Sequence, residues 1–234
     1  MDALARLASE PERAALFLDI DGVLAPIVAD PDDARVPDET RAVLRELATR
    51  YALVACVTGR ASEVARAIVG VPEVTYVGEH GLELEPEAAE WGKRIRAFAA
   101  RARWPAEDKP LTAAFHYRTA ERPAEAREVL EEVAAEALGE GFRTRWGRMV
   151  LEVLPPVDAS KGTAVRRLLE RDGLGRALYA GDDTTDLDGF AALDGLEAAV
   201  RVAIASPEGP TELGERADVV LGSPAALVEL LRQL

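Results

Sequence analysis

Ala14-Ala15-Leu16-Phe17-Leu18 is apolar at every position and gives way to Asp19-Ile20-Asp21-Gly22. A strand with no polar face has to be covered on both sides, which is the situation of a parallel strand in an α/β sheet. The two acids that follow it then fall at the carboxyl edge, where open α/β folds hold ligands. Strand alternation carried through to Asp21 puts Asp19 and Asp21 on one side. Two acids after a strand also serve as a plain polar loop or a helix cap, so the rest of the chain has to decide.

The apolar pattern repeats with helical periodicity between the runs, as a parallel sheet with covering helices requires. Strands are expected over Ala14–Ile20, Leu53–Val57 and Val74–Val77, with helices over Asp38–Arg50 and Ser62–Val69. The period then changes. A helix near Glu87–Arg103, a strand near Leu111–Tyr117, a helix near Pro123–Leu138 and short strands around Phe142–Trp146 and Met149–Val153 read as a small α+β insert. Alternation resumes with a helix from Lys161 to Asp172, strands at Ala177–Ala180, Ala198–Ala203 and Asp218–Leu221, a helix near Thr185–Ala192 and a closing helix from Ser223. Pro155-Pro156 marks the return as an extended, stiff connection. The expected division is a catalytic α/β core over residues 1–85 and 156–234 and a cap over 86–155, with crossings near Leu84–Glu87 and Leu154–Val157 as hinges.

Composition excludes several classes. With 48% hydrophobic and 30% charged residues the chain is an ordinary globular one. Its one cysteine, Cys56, lies in an apolar run, which suits a buried thiol and a reducing, cytoplasmic setting. No basic segment leads an apolar stretch at the N-terminus and no 18-residue apolar run occurs, so neither export nor a membrane partner is expected. A formal charge of −14 argues against nucleic acid. Between Glu87 and Pro155, 12 Lys+Arg balance 12 Asp+Glu, which leaves 16 against 30 elsewhere. Acidic flanks of that kind either solvate the surface or call for a divalent cation before an anion can approach.

Three further strand or helix ends add to the first. Thr58-Gly59-Arg60 closes the second strand with a hydroxyl and open backbone N–H groups, although Thr-Gly also makes an ordinary turn. Asp158-Ala159-Ser160-Lys161-Gly162 places one of three lysines at a helix start, where a cation makes sense if it meets an anion. Gly181-Asp182-Asp183-Thr184-Thr185-Asp186 follows another apolar strand with three carboxylates in five residues, which repel one another unless a cation relieves them. Together these divide the work of phosphate-ester hydrolysis. Asp19, the Asp21 backbone carbonyl and Asp182 are hard oxygen ligands for Mg²⁺. Asp19 attacks phosphorus, Asp21 protonates the leaving alkoxide and then activates water, and Thr58 and Lys161 neutralise the phosphoryl oxygens.

Asp19-x-Asp21-Gly22, Thr58-Gly59-Arg60, Lys161-Gly162 and Gly181-Asp182-x3-Asp186 resemble the four motifs of the haloacid dehalogenase superfamily of phosphatases. The resemblance implies a Rossmann-like parallel sheet core with an inserted α+β cap of type C2, and a metal site of Asp19, Asp21, Asp182 and Asp186. A narrower resemblance covers nearly the whole chain and is to the trehalose 6-phosphate phosphatase branch. It is carried by Asp21-Gly22-Val23-Leu24-Ala25-Pro26-Ile27-Val28 with Pro31 and Ala34, Gly78-Glu79-His80-Gly81-Leu82-Glu83, Phe115-His116-Tyr117-Arg118 and Val150-Leu151-Glu152-Val153. It implies that Arg60, His80, Arg118, Arg148 and Glu152 bind a small-molecule sugar phosphate; separately, a monomer is expected.

The chain departs from that pattern at Val23, where threonine is usual, at Arg148, where lysine is common, and at Leu154, where arginine often precedes the proline. Arg and Lys are not interchangeable in sugar or phosphate contacts, so the sugar stays open among trehalose, sucrose, glycosyl-glycerate and hexose phosphates. A phosphohexomutase, which returns the phosphate to the sugar, and a non-catalytic sugar-phosphate sensor are the other readings. Glu152 has a lesser reading as a solvent-facing acid, His116 reads equally as a satisfied strand histidine, and Trp91, Trp104 and Trp146 read as cap core.

Overall fold

A computed structural model describes residues 3–28, 30, 33–147, 149–206 and 209–234, except for the side chain of Asp108. Pro31 and Arg148 therefore lie outside the described residues. The chain divides into two compact units, residues 1–81 with 159–234, and residues 82–158.

The larger unit starts with α1 (Ala3–Ser9), then β1 (Ala14–Leu18), α2 (Asp38–Arg50), β2 (Leu53–Val57), α3 (Ser62–Val69) and β3 (Thr75–Val77). The smaller unit holds α4 (Ala88–Ala99), β4 (Glu107–Asp108), β5 (Ala113–His116), α5 (Pro123–Gly139), β6 (Arg143–Gly147) and β7 (Val150–Leu154). The chain then returns to the larger unit with α6 (Lys161–Asp172), β8 (Arg176–Gly181), α7 (Asp186–Ala191), β9 (Ala198–Ile204), α8 (Thr211–Arg216), β10 (Val219–Leu221) and α9 (Pro224–Leu231).

Six strands form one sheet in the order β10-β9-β8-β1-β2-β3, and every neighbouring pair is parallel. The apolar runs explain this: all five residues of β1 and all five of β2 are buried, so neither strand has a face to offer water. β1 lies where the chain changes direction, with β2 and β3 laid to one side and β8, β9 and β10 to the other. Leu18 stands beside both Cys56 and Ala180, so the segments that follow β1, β2 and β8 leave the sheet at one level. That level is the topological switch point where open α/β sheets bind ligands.

The smaller unit carries an antiparallel sheet in the order β4-β5-β7-β6. Its separate core gathers Ile95, Phe98, Phe115, Leu130, Leu151 and Val153, with Trp91, Trp104 and Trp146 packed on its margin. Alternation decides the faces here: Leu151 and Val153 are fully buried while Glu152 between them is not.

Helix α6 begins on a capping box in which Ser160 Oγ accepts from the Thr163 backbone N–H and Thr163 Oγ1 accepts from that of Ser160. Against expectation, regular strand stops at Leu18 rather than Ile20, because the backbone N–H groups of Leu24 and Ala25 both turn back to the Ile20 carbonyl. The helices α1 and α8 and the two-residue β4 carry too little periodicity to read from sequence. No described helix is long and apolar enough to cross a membrane.

Candidate active site

Asp19, the first residue past β1, still donates its backbone N–H to Ala180 O at 3.0 Å, so it is held in line with the sheet. Its side chain is buried. Oδ1 accepts from the Ile20 backbone N–H at 2.7 Å and Oδ2 accepts from Lys161 Nζ at 2.6 Å. The same ammonium donates to Asp186 Oδ1 at 2.6 Å. Lys161, expected as a cation that must meet an anion, thus meets two of them, one just past β1 and one at the start of α7. What allows the approach is Gly162, where a Cβ would lie 2.3 Å from the Asp188 backbone carbonyl oxygen, so only glycine lets α6 close on α7.

Asp186 is fully buried and both its oxygens are engaged. Besides Lys161, Oδ1 accepts from the Tyr179 hydroxyl at 2.8 Å, and Oδ2 accepts from the backbone N–H groups of Asp182 and Asp183, each at 2.9 Å. Asp182 completes the group: Asp19, Asp182 and Asp186 each offer an oxygen within 4.8 Å of the others. Gly22, in the left-handed region at φ 74°, fixes the other wall, because a Cβ there would lie 2.1 Å from Asp182 Oδ2. Beside Asp182 a cavity of about 330 Å³ is lined by Ala205, Ser206, Gly209 and Thr211. A larger cavity of about 650 Å³ lies near Arg166, Asp172 and Glu197 and contains none of the motif residues.

The charges do not balance. Three carboxylates against one ammonium leave a formal −2 in a buried cluster, which is costly. Burial raises the Asp19 carboxyl to about 7, with Lys161 pulling it down and Asp186 pushing it up. Burial, then the Asp19 and Asp186 charges, raises Asp182 to about 8. Burial alone would lower Lys161, but its two carboxylate partners carry it above its usual range and keep it charged. A hard divalent cation is what such an oxygen set fits: three carboxylate oxygens converge within 4.8 Å with one ammonium to offset them, and burial and neighbouring charge hold Asp19 and Asp182 back from ionising.

The second acid goes elsewhere. Asp21 takes a forked pair from Arg60, Nε to Oδ2 and Nη2 to Oδ1, both at 2.7 Å. The alternation expected to keep Asp19 and Asp21 together does not extend past Leu18, and each acid is delivered to its own cation. Arg60, expected to bind substrate, places its fork on Asp21. Thr58 is buried, and its backbone ties this segment to the next: its N–H donates to Val77 O and its carbonyl accepts from the His80 N–H at 2.9 Å. His80 is left-handed at φ 55°, and its Nε2 lies 2.6 Å from where a Cβ on residue 59 would stand.

Arg118 and Glu152 belong to the smaller unit. Arg118 is exposed. Glu152 is not a solvent-facing acid: it pairs with Arg145, its register partner on β6, at 2.6 Å. His116 is exposed and pairs with Glu107 at 2.8 Å. Arg145 and Tyr179 are the two residues that sequence reasoning passed over. Strand register could have found Arg145; nothing in the sequence marks a tyrosine inside an apolar strand. Cys56 is buried and its thiol is pushed up by burial, an inert core group as expected.

A family model described as trehalose-phosphatase matches residues 17–212. Trehalose-phosphate phosphatase B of Arabidopsis thaliana is 30% identical over 219 residues, covering 80% of this chain, and the chain spans 58% of that relative's length. The C-terminal domain of a C. albicans trehalose-6-phosphate phosphatase superposes with a TM-score of 0.76 at 22% identity, over 98% of this chain and 95% of that one. A haloacid dehalogenase-like hydrolase from Bacteroides thetaiotaomicron gives a TM-score of 0.63 at 14% identity, over 94% and 98%. The fold is therefore the expected one.

Proposed function

The chain belongs to the trehalose-phosphatase family, and from that membership we propose that it hydrolyses trehalose 6-phosphate to trehalose and phosphate through an aspartyl-phosphate on Asp19. The observation that carries the reading is the buried Asp19–Lys161–Asp186 chain with Asp182 beside it, at the switch point of a parallel sheet.

In this reading Asp19 attacks phosphorus in line, the ester P–O bond breaks, and the sugar oxygen takes a proton from Asp21. Water then attacks the aspartyl-phosphate while giving its proton back to Asp21, and phosphate leaves with Asp19 restored. Arg60 sets the direction of the Asp21 carboxyl, which has to serve both steps. Lys161 and the Thr58 hydroxyl stabilise charge on the transferred group's oxygens. Mg²⁺ held by Asp19, Asp182 and the Asp21 carbonyl would supply a Lewis acid that offsets the anionic charge of the cluster and the substrate.

Substrate recognition we assign to Arg60 and His80 in the larger unit and to Arg118 and Glu152 in the smaller one. Arg148, expected to share that role, lies outside the described residues.

A phosphate-release panel over trehalose, sucrose, glycosyl-glycerate and hexose phosphates, with a chelator control, tests the proposal. Trehalose 6-phosphate should be the preferred ester, and free phosphate rather than an isomerised sugar phosphate should appear. Preference for another ester would move the substrate and keep the chemistry. Asp19→Asn should lower kcat by about a thousandfold or more while leaving the circular-dichroism spectrum unchanged. Glu152→Gln should raise KM by about tenfold with a smaller change in kcat, and an unaltered KM would remove Glu152 from the binding surface.

A further inference from the structure

Tyr179 is a buried polar group that the reaction just described does not use. It sits in the middle of β8, its side chain is fully buried, and its hydroxyl donates to Asp186 Oδ1 at 2.8 Å. We propose that Tyr179 is a positioning residue, whose hydroxyl fixes Asp186 and thereby aims the Lys161 ammonium at the nucleophile Asp19.

A carboxylate offers about four acceptor positions. Four donors fill them here: Lys161 Nζ and the Tyr179 hydroxyl on Oδ1, and the Asp182 and Asp183 backbone N–H groups on Oδ2. The two backbone donors fix Oδ2 and leave the carboxylate free to rock about that end. The tyrosine hydroxyl stops the rocking, because it approaches Oδ1 from the rigid sheet. With one Oδ1 lone pair committed to Tyr179, a single position remains for Lys161, and from it Nζ also reaches Asp19 Oδ2 at 2.6 Å. The same saturation makes Asp186 a holder of Lys161 rather than a direct cation ligand, a role left to Asp19 and Asp182.

Packing supplies the stiffness. A Cβ on Gly189 of α7 would lie 2.3 Å from Tyr179 Cζ, so the ring lies flush against bare backbone. Phe190 closes its other contact edge-on, with centroids 5.9 Å apart at 84°. A phenylalanine would fill the same space, so the hydroxyl is not needed for the core. Its use is the hydrogen bond.

The claim rests on the phosphatase reading for its kinetic arm only. Tyr179→Phe keeps the ring and removes the bond. It should lower kcat by about tenfold with KM for the sugar phosphate unchanged. Tyr76→Phe, which removes another tyrosine hydroxyl bond in the same sheet, to Val71 O, should leave kcat unaltered. The second arm needs no activity. The chain has three lysines, Lys93, Lys109 and Lys161, so ¹⁵N-lysine labelling gives three ammonium signals to follow. In Tyr179→Phe the Lys161 signal should move and its protons should exchange faster with water, while Lys93 and Lys109 stay as they are. A kcat within twofold of wild type, or an unchanged Lys161 signal, overturns the inference. Should the wild type release no phosphate from any ester, the proposed function falls, and the ammonium spectrum alone decides the role of Tyr179.

Discussion

Asp182 has the environment that depends most on what else is bound. Its carboxyl, raised to about 8 in the folded chain from a reference near 3.8, is easier to protonate folded than unfolded. The folded state therefore binds the extra proton between those two values, and metal-free stability falls as pH rises through that window. Asp19, raised to about 7, contributes in the same direction. In thermal melts with chelator, the wild type should lose more Tm between pH 5 and pH 8 than Asp182→Asn, by a few degrees. Saturating Mg²⁺ should abolish most of that difference, because the cation replaces the missing proton. A parallel pH dependence in wild type and variant would show that the cluster's charge is balanced some other way. Lys161 gives the complementary lesson. Its position at a helix start signalled an anion, and the anions turned out to be two carboxylates of the chain itself, which hold the lysine in place.

The elements explain why these residues meet at all. Helices α2, α3 and α6 fall where the sequence places them, helped by local signals at some of their ends. Those signals include the Ser160 capping box and the left-handed glycines Gly70 and Gly173 just past α3 and α6. Position across elements is another matter. Gly162→Ala should force α6 away from α7, since the added methyl would collide with backbone rather than with a movable side chain. A loss of about 1–3 kcal/mol in urea unfolding is expected. Activity should fall further than that loss explains, because Lys161 is the residue preceding the collision. A variant as stable and as active as wild type would show that the helices have room to spare. Arg145 and Glu152 of the smaller unit pair because β6 and β7 are in register, so their meeting is a property of two strands and not of either one.

For the whole molecule, the division of labour follows the division of cores. Asp19, Asp182, Asp186, Lys161 and Tyr179 all belong to the larger unit, while Phe115 anchors the separate core of the smaller one. Phe115→Ala should destabilise the smaller unit by about 3–5 kcal/mol. Calorimetric Mg²⁺ affinity should be unaltered in the same variant, whereas a large drop would show that the acidic cluster needs the smaller unit to form. The sequence by itself determined the fold class, the order of the longer elements and the identity of the acids, because apolar periodicity, caps and short motifs are local properties of the chain. Only the tertiary structure decided which acid meets which cation, that Asp21 goes to Arg60 and Asp19 to Lys161, and that the hydroxyl of a core tyrosine reaches Asp186. Those pairings depend on strand register and on how closely backbones approach, and both are set by residues far apart in the chain.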